Sequence, residues 1–192
     1  MAMFSAVILA GGSASRMNGI NKQLALLDGI PVVIRSALAF ENSAQAGEII
    51  LAVPAGEEER YAALCSQYGI TKLKAAVHGG ATRFLSVKNA LEYVSAGYAY
   101  IAIHDGARPL ISTADIDRVL TDAVQYGSAI AAAPVTDTIK QVSGGAITST
   151  PPRPRRRSAG SFTPPAWKSW GAAPRSSPTT APCLSCAANR CT

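Results

Sequence analysis

Cysteine and long apolar runs are scarce in the first 150 residues of this 192-residue sequence. No early run approaches the roughly 20 apolar residues of a membrane-spanning helix, because the longest, Ala6–Ala10, ends at two glycines. The N-terminus lacks the basic region and long apolar stretch of a secretory signal. One cysteine, Cys65, cannot build a disulfide framework, which favours a reducing compartment. We therefore expect a cytoplasmic protein that does not associate with membranes.

Acidic residues are absent from the last 42 residues. Residues 151–192 hold 7 Lys and Arg and no acid, net +7, whereas residues 1–150 hold 11 Lys and Arg against 12 Asp and Glu, net −1. The same C-terminal segment contains 8 of the 12 prolines and shows neither helical nor strand periodicity. The formal net charge of +6 therefore belongs to this segment and does not describe the first 150 residues.

Short β-branched runs alternate with amphipathic segments up to about residue 135. The predicted strands are Phe4–Leu9, Glu48–Val53, Leu73–Val77, Tyr98–Ile103 and Ala129–Val135. The predicted helices are Pro31–Phe40 with proline in its first position, Glu57–Tyr68, Thr82–Ala96, and one that runs from Ser112 through Val124. Strands joined by helices form right-handed parallel crossovers. The pattern predicts an α/β Rossmann-like sandwich with a mostly parallel sheet.

Two further strands, Thr138–Val142 and Ala146–Thr150, flank the glycine-rich turn Ser143–Gly145. This predicted hairpin has few apolar residues and leaves the sheet. Such a hairpin suits a protruding arm, here over about residues 137–153, better than a core element. Arms of this kind often serve dimerisation, so we expect a homodimer.

The loop after the first strand carries glycines and cations. It is neither a Walker loop nor the spaced glycines of a dinucleotide fingerprint. The backbone N–H groups of Gly11 and Gly12 can approach phosphate oxygens closely. Arg16 and Lys22 bring two positive charges, which suit a phosphoryl group in transfer. The alternative is a glycine turn flanked by solvated cations.

A second glycine pair, Gly79 and Gly80, ends another predicted strand and leads into a helix that contains Ser86. Ser86 is as readily a packing or surface serine as a ligand contact. Arg83 either contacts a ligand or pairs with an acid.

Two charged residues, Asp105 and Arg108, directly follow the predicted strand Tyr98–Ile103, and burial alone does not explain both. An acid at this position commonly binds Mg²⁺ or a substrate hydroxyl. His104 is the weaker candidate, because a histidine at a strand end is more often satisfied locally than catalytic. Polar groups, including Asp137, also end the last predicted strand of the sheet.

These four motifs, in this order, resemble the 2-C-methyl-D-erythritol 4-phosphate cytidylyltransferase family over residues of about 3–153. The motifs are Ala10-Gly-Gly-x-x-x-Arg16-Met17 with Lys22-Gln23, Gly79-Gly80-x-x-Arg83-x-x-Ser86-Val87, His104-Asp105-x-Ala107-Arg108-Pro109, and Ala132-Ala-Pro-Val-x-Asp137-Thr138-x-Lys140. The first motif is shared by many nucleotidyltransferases, whereas all four in order are specific.

The resemblance implies a Mg²⁺-dependent reaction in isoprenoid precursor synthesis. The phosphate of methylerythritol phosphate attacks the α-phosphorus of CTP, and pyrophosphate leaves. The implied catalytic residues are Arg16, Lys22 and Arg153. The implied nucleotide-binding residues are Ala10, Gly11, Gly12, Gly79, Gly80 and Ser86. The implied contacts to the sugar-alcohol phosphate are Asp105, Arg108 and Thr138, with Asp105 also serving the metal ion.

Beyond Arg153 the resemblance ends. The family continues with a Thr-Pro-Gln segment, an acidic Thr-Asp-Asp/Glu segment, and an Asn-x-Lys-x-Thr segment whose lysine also positions the substrate; none is present. A two-nucleotide shift of reading frame permits Thr-Asp-Asp-Cys-Ala-Leu-Leu-Glu across Ser177–Ser185. We therefore expect a nucleotidyltransferase domain over residues 1–153 that lacks its C-terminal elements, and a disordered, out-of-frame tail over 154–192. Such an enzyme turns over poorly or not at all.

Three alternatives remain at this point. The first is the sister enzyme that uses ribitol 5-phosphate. A guanylyl- or uridylyltransferase fits less well, because its resemblance would end after the first loop. The third is a nucleic-acid-binding protein driven by Arg153–Arg157, but no recognition fold accompanies that run, and we expect no nucleic-acid partner. Cys183, Cys186 and Cys191 have no nearby histidine and do not make a convincing zinc site.

Overall fold

Five parallel strands form the central sheet of the computed structural model, which describes residues 4–12, 21–132 and 138–151 and the backbone of 183–186. The strands in chain order are β1 (Phe4–Leu9), β2 (Leu26–Leu27), β3 (Ile30–Pro31), β4 (Ala46–Val53), β5 (Leu73–His78), β6 (Tyr100–Asp105), β7 (Gln141–Ser143), β8 (Ala146–Ser149) and β9 (Cys183–Cys186). The helices are α1 (Val32–Glu41), α2 (Glu58–Gln67), α3 (Arg83–Leu91) and α4 (Thr113–Tyr126). The sheet order is β5-β4-β1-β6-β9, and every neighbouring pair is parallel. The predicted α/β class is confirmed.

The central strand β1 is buried along its whole length, since both faces of the sheet are covered. Side chains alternate between the faces of a strand. Phe4, Ala6 and Ile8 join the core shared with helices α1, α2 and α4. Val7 and Leu9 join a smaller core that includes Ala90 of α3. This two-sided burial explains why the sequence of β1 is a continuous apolar run rather than an alternating one.

The chain divides into two units, of which the first covers residues 1–131 and 174–187 and the second covers residues 132–173 and 188–192. The five-stranded sheet and all four helices belong to the first unit. The second unit contains the antiparallel pair β7 and β8. Gly144 and Gly145 join these strands with φ of 57° and 80°, a conformation that glycine adopts readily and that two-residue hairpin turns require. The predicted hairpin is confirmed, with strands shorter than expected.

The start of α1 and the end of α3 differ from the prediction, because residues next to each boundary form contacts with other parts of the chain. Pro31 precedes α1 instead of opening it, since Pro31 pairs with Leu26 in the β2–β3 hairpin and is extended. Helix α3 ends at Leu91, five residues earlier than predicted. Beyond that end, the backbone N–H and hydroxyl of Ser95 both bind the carboxylate of Glu48 at 2.9 Å and 2.7 Å. These hydrogen bonds draw the chain away from the helix axis.

The predicted strand Ala129–Val135 is wrong for its described part, because residues 129–132 form no regular secondary structure. The edge of β6 that such a strand would need pairs instead with β9, from Ile101 opposite Cys183 to His104 opposite Cys186. Residues 133–137 lie outside the described part of the chain. Strand β9 was not predicted, and the rest of the tail lies outside the described residues, so its expected disorder and reading frame stay predictions.

The carboxyl ends of β1, β5 and β6 carry three of the four predicted motifs. Ligands of open parallel sheets bind at this end of the strands. None of the helices that the structure describes is long and apolar enough to cross a membrane.

Candidate active site

The two glycine loops touch each other at the carboxyl ends of β1 and β5. A Cβ placed on Gly79 would lie 3.4 Å from the Cα of Gly11, and a Cβ on Gly11 would lie 3.4 Å from the Cα of Gly79. Both would also press on the carbonyl oxygen of Val53, at 3.2 Å and 3.3 Å. The backbones approach this closely because neither residue has a side chain. Two motifs that are 68 positions apart in the sequence therefore form one surface.

Gly12 differs from these glycines because a Cβ there would meet none of the described residues within 4 Å. Its backbone is therefore open on the side where a side chain would stand. A nucleotide phosphate can approach such a backbone without displacing any described group. This is the behaviour expected of a phosphate-binding glycine.

Ser86 fastens the second glycine loop to the start of α3. Its hydroxyl accepts a hydrogen bond from the Gly80 N–H at 3.0 Å and donates to the Thr82 carbonyl at 3.0 Å. Thr82 is the N-cap of α3, and its own hydroxyl accepts from the Leu85 N–H at 3.2 Å. Ser86 is 7% exposed. Ser86 therefore fixes the shape of the loop, as expected of a packing serine. It also lies beside Gly79 and Gly80, next to the predicted nucleotide site.

The segment Asn21–Gln23 holds Lys22 at the exposed side of the first loop. The Asn21 side chain donates to the Tyr61 hydroxyl at 3.2 Å and accepts from the Gln23 N–H at 3.1 Å. Gln23 is 3% exposed, and its carbonyl accepts from the Val33 N–H at the start of α1. The backbone on both sides of Lys22 is thus fixed, and the exposed ammonium is available to a ligand.

A carboxylate between two guanidinium groups marks the carboxyl end of β6. One oxygen of Asp105 accepts hydrogen bonds from Nη2 and Nε of Arg83 at 3.2 Å and 3.3 Å, and the other forms an ion pair with Nε of Arg108 at 3.0 Å. Arg83 thus pairs with Asp105, which confirms one of the two alternatives predicted for this residue. The carboxylate is 27% exposed and the arginine side chains are 51% and 33% exposed. The cluster has a net positive charge and is accessible, which suits an anionic ligand.

His104 lies beneath this cluster and is 1% exposed. Its Nε2 contacts the backbone carbonyl of Arg108 at 3.1 Å. Burial lowers the pKa of its imidazole below the usual value of 6.5, although the Arg108 carbonyl and Asp105 oppose that shift. The prediction that His104 has a local hydrogen-bond partner is confirmed for Nε2.

Asp105 could hold a Mg²⁺ ion together with the phosphates of a bound nucleotide. No three His, Cys, Asp or Glu side chains meet among the described residues in a group that could hold a metal ion. Among the described residues, Asp105 is the one carboxylate at the predicted site. Mg²⁺ commonly takes one or two carboxylates together with substrate phosphates and water. The Asp105 oxygen that faces Arg108 has a second lone pair, so Asp105 can serve as a protein ligand of an ion that a triphosphate also holds.

Comparison with known proteins agrees with this geometry. The family model described as 2-C-methyl-D-erythritol 4-phosphate cytidylyltransferase matches residues 4–169. The chain belongs to this family. A Bacillus mycoides protein of that name is 40% identical over 149 residues, which are 77% of this chain and 66% of the relative. One from Geobacillus kaustophilus is 39% identical over 142 residues, which are 73% and 62% of the two chains.

Solved structures support the same membership of the cytidylyltransferase family. The 4-diphosphocytidyl-2C-methyl-D-erythritol synthase of Anaerococcus prevotii aligns with a TM-score of 0.65 at 25% identity, covering 79% of this chain and 64% of that one. The cytidylyltransferase of Thermus thermophilus aligns with a TM-score of 0.59 at 30% identity, covering 80% and 64%. The chain spans 66% and 62% of the length of the two relatives above. The family match to residue 169 also passes the predicted boundary at 153.

Several residues that the cytidylyltransferase motifs point to cannot be placed. Arg16, Asp137 and Arg153 lie outside the described residues, as does the basic run Arg153–Arg157. Thr138 is exposed and belongs to the second unit. Of Cys183–Cys186 only the backbone is described. The structure therefore brings together Gly11, Gly79, Gly80 and Ser86 in one group, and Asp105 with Arg108 in another.

No role was assigned from the sequence to four residues that shape this site. They are Asn21, Gln23, Ser36 and Tyr61, and all four are buried or half-buried. Ser36 donates to the Gly106 carbonyl at 2.8 Å from within α1. A serine on an otherwise apolar helix face was the signal for Ser36. Gln23 lay inside the quoted motif, whereas no local pattern marked Asn21 or Tyr61.

Proposed function

We propose that this chain transfers CMP from CTP to 2-C-methyl-D-erythritol 4-phosphate and releases pyrophosphate, a step of isoprenoid precursor synthesis. The observation that carries the proposal is the contact between Gly11 and Gly79, which joins two family motifs into one surface at the carboxyl ends of β1 and β5. The relatives described above are named for methylerythritol phosphate. None of those names supports the ribitol phosphate alternative.

The nucleotide would lie on the glycine surface. The open backbone of Gly12 would accept the triphosphate, and Gly79, Gly80 and Ser86 would form the wall beside it. Ala10, whose N–H is held by the Ala52 carbonyl at 2.6 Å, fixes where the first loop begins. Binding thus relies on backbone groups that are in place before the ligand arrives, which reduces the conformational entropy that the loops lose on binding.

The reaction is an in-line displacement at the α-phosphorus of CTP. A phosphate oxygen of the acceptor forms the new P–O bond, and the bond to the β-phosphate oxygen breaks as pyrophosphate leaves with its electron pair. The nucleophile is already an anion, so no general base is needed. The exposed ammonium of Lys22, and in our proposal Arg16, would neutralise charge on the phosphoryl group as it transfers. A Mg²⁺ ion held by Asp105 and the triphosphate would supply further neutralisation.

The acceptor would bind at the cluster of Asp105 and Arg108. A carboxylate accepts hydrogen bonds from alditol hydroxyls, and a guanidinium binds phosphate in a forked geometry. We assign Thr138 and Arg153 to the same substrate on the family motifs. In the second unit, the Lys140 ammonium donates to the Thr150 hydroxyl at 2.7 Å, which ties the two strands of the hairpin together near Thr138.

The hairpin would serve a homodimer. Val142 and Ile147 face each other across β7 and β8 and are 58% and 64% exposed. Exposed apolar pairs on an antiparallel hairpin suit burial against a second copy. We also propose a cytoplasmic location, supported by the single cysteine of the first 150 residues, Cys65, whose thiol pKa burial raises to about 11.

The tail of this chain departs from the family's pattern. Residues 154–192 contain no acidic residue and no Thr-Pro-Gln segment. We attribute this departure to a shifted frame after about residue 153. Sequencing the encoding DNA tests that attribution: a shifted frame that restores the Asn-x-Lys-x-Thr segment supports it, and the lack of one in either frame refutes it.

Phosphorus NMR of the products tests the function itself. The full chain at high concentration is incubated with CTP and Mg²⁺, and with methylerythritol phosphate, ribitol 5-phosphate or no acceptor. We expect release of pyrophosphate and a new diphosphate diester with methylerythritol phosphate, and no release without an acceptor. The Lys22→Ala variant should abolish product, whereas Lys88→Ala, at an exposed position in the last turn of α3, should not. A preference for ribitol 5-phosphate, or no product with either acceptor, would overturn the proposal.

A further inference from the structure

A turn of four residues, Asp105 to Arg108, presents the acceptor-binding groups, and buried polar groups hold it from below. The Arg108 N–H donates to the Asp105 carbonyl at 3.0 Å, which closes the turn. The Gly106 N–H donates to the Leu9 carbonyl at 2.8 Å, and the Gly106 carbonyl accepts from the Ser36 hydroxyl at 2.8 Å. The first half of the turn is thus fixed to β1 and α1.

His104 fixes the second half of the turn. Its Nε2 lies 3.1 Å from the Arg108 carbonyl, so both peptide groups that flank the Arg108 Cα are held. From that fixed Cα the guanidinium reaches the Asp105 carboxylate at 3.0 Å. The imidazole also packs on Phe40, with ring centroids 5.3 Å apart. The ring therefore couples the core of the first unit to the geometry of an exposed arginine.

The contact determines which imidazole nitrogen carries the proton. A backbone carbonyl only accepts, so Nε2 must be the donor. The other nitrogen, Nδ1, is buried and has no hydrogen-bond partner among the described residues. A proton on Nδ1 would be a buried donor without an acceptor there. The tautomer with hydrogen on Nε2 is therefore the form that fits.

We propose that His104 is a positioning residue: it donates Nε2–H to the Arg108 carbonyl and thereby holds Arg108 and Asp105 in the geometry that binds the acceptor substrate. The part that concerns the substrate rests on the proposed function. His104 itself touches no reacting atom in this account. Its effect reaches the substrate through the backbone of Arg108.

Three variants test the role. His104→Gln places an amide nitrogen near the position of Nε2, whereas His104→Leu keeps the apolar contact with Phe40 and removes the donor. Ser43→Ala is the matched structural control, because Ser43 is equally buried and its hydroxyl donates to Asp117 at 2.5 Å, in a hydrogen bond unrelated to the turn. The readout is the side-chain Nε–H signal of Arg108 in arginine-labelled full chain, assigned with Arg108→Lys.

We expect a displaced Arg108 signal that exchanges slowly with water in the wild type, His104→Gln and Ser43→Ala, and its loss in His104→Leu. A signal that persists in His104→Leu, or that is lost equally in a folded His104→Gln, overturns the proposal. Should His104→Leu fail to fold, histidine nitrogen shifts of the wild type decide. Hydrogen on Nε2 supports the proposal, and a ring with hydrogen on Nδ1 alone refutes it.

Calorimetry with methylerythritol phosphate tests the consequence for the substrate. We expect affinity about tenfold weaker in His104→Leu than in His104→Gln, the effect of one lost hydrogen bond, with CTP affinity unchanged in both. Equal acceptor affinity in the two variants contradicts the positioning role. A wild-type chain that binds no methylerythritol phosphate overturns the proposed function instead, and the arginine and histidine signals still decide the role of His104.

Discussion

At the scale of single residues, the glycines of the two loops differ in what stands where a side chain would be. A Cβ on Gly80 would lie 2.2 Å from the Leu85 Cβ and 2.9 Å from the Leu85 backbone carbon, a clash that only a backbone shift relieves. A Cβ on Gly12 would meet no described residue within 4 Å. Gly80 is therefore required by the packing of the loop against α3, whereas Gly12 is required only if a ligand approaches it.

This contrast predicts that two alanine variants differ in stability although both bind CTP more weakly. Gly80→Ala should lower the free energy of unfolding by about 1–3 kcal/mol, because it overpacks the loop, and should also weaken CTP binding. Gly12→Ala should unfold like the wild type and still bind CTP more weakly. Thermal unfolding and calorimetry measure the two effects. Gly97→Ala, whose Cβ would contact nothing within 4 Å, is the control for both. Unchanged stability in Gly80→Ala would show that the loop is not packed as described.

His104 also predicts how stability depends on pH. Burial lowers the pKa of its imidazole in the folded chain, while the unfolded chain keeps a value near 6.5. Between these two values the unfolded state binds more protons, so the free energy of unfolding rises with pH there. The contribution of His104 is complete above about pH 6.5 and is lost as the pH falls below it.

Urea unfolding at several pH values between about 5 and 8 measures this contribution. We expect the wild type to lose stability as the pH falls through this range and His104→Gln to lose less, since glutamine does not titrate. Parallel curves for the two proteins would mean that His104 titrates alike in both states.

At the scale of elements, helices α3 and α4 begin alike but differ in what lies beside them. The Thr82 hydroxyl accepts from the Leu85 N–H, and the Ser112 hydroxyl accepts from the Asp115 N–H at 3.1 Å. Thr82→Ala and Ser112→Ala should each lower the free energy of unfolding by about 1 kcal/mol, because each removes an N-cap. Only Thr82→Ala should also weaken CTP binding, since Ser86 lies in the first turn of α3. Denaturation and calorimetry separate the two effects, and equal CTP affinity in both variants would place the nucleotide away from α3.

The elements that the sequence predicts well are those with a local cause. Strand β1 follows from its apolar run, and α4 follows from its cap at Ser112 and its spacing of apolar residues. The end of α3 depends on Glu48, which lies 47 positions from Ser95, and no local pattern contains such a contact. Strand β9 pairs with β6 across some 80 residues, which composition alone did not suggest.

The candidate site was predictable to a similar extent. Motif order located Gly11, Gly79 and Asp105 at strand ends, and the topology brought the two glycines together. The sequence did not determine that Asp105 sits between Arg83 and Arg108, since Arg83 could equally have contacted a ligand. Side-chain pairing across 22 residues is a property of the folded sheet.

At the scale of the whole molecule, charge is divided unevenly between residues 1–150 and the tail, residues 151–192. Residues 1–150 carry a net charge of −1 and residues 151–192 carry +7. The cations that face the proposed ligands, such as Lys22 and Arg108, are few and lie at the carboxyl ends of the strands. We therefore predict that anion binding is a local property of that end of the sheet, to which the basic tail contributes only Arg153.

Titration of CTP into the full chain in the presence of Mg²⁺, followed by calorimetry, is the most direct test of the central claim that the joined glycine loops form a cytidine nucleotide site. We predict saturable binding of CTP, weaker binding of UTP, ATP and GTP, and a clear loss of CTP affinity in Gly12→Ala without a loss of stability. Equal binding of all four nucleotides, or CTP affinity that Gly12→Ala leaves unchanged, would contradict the account.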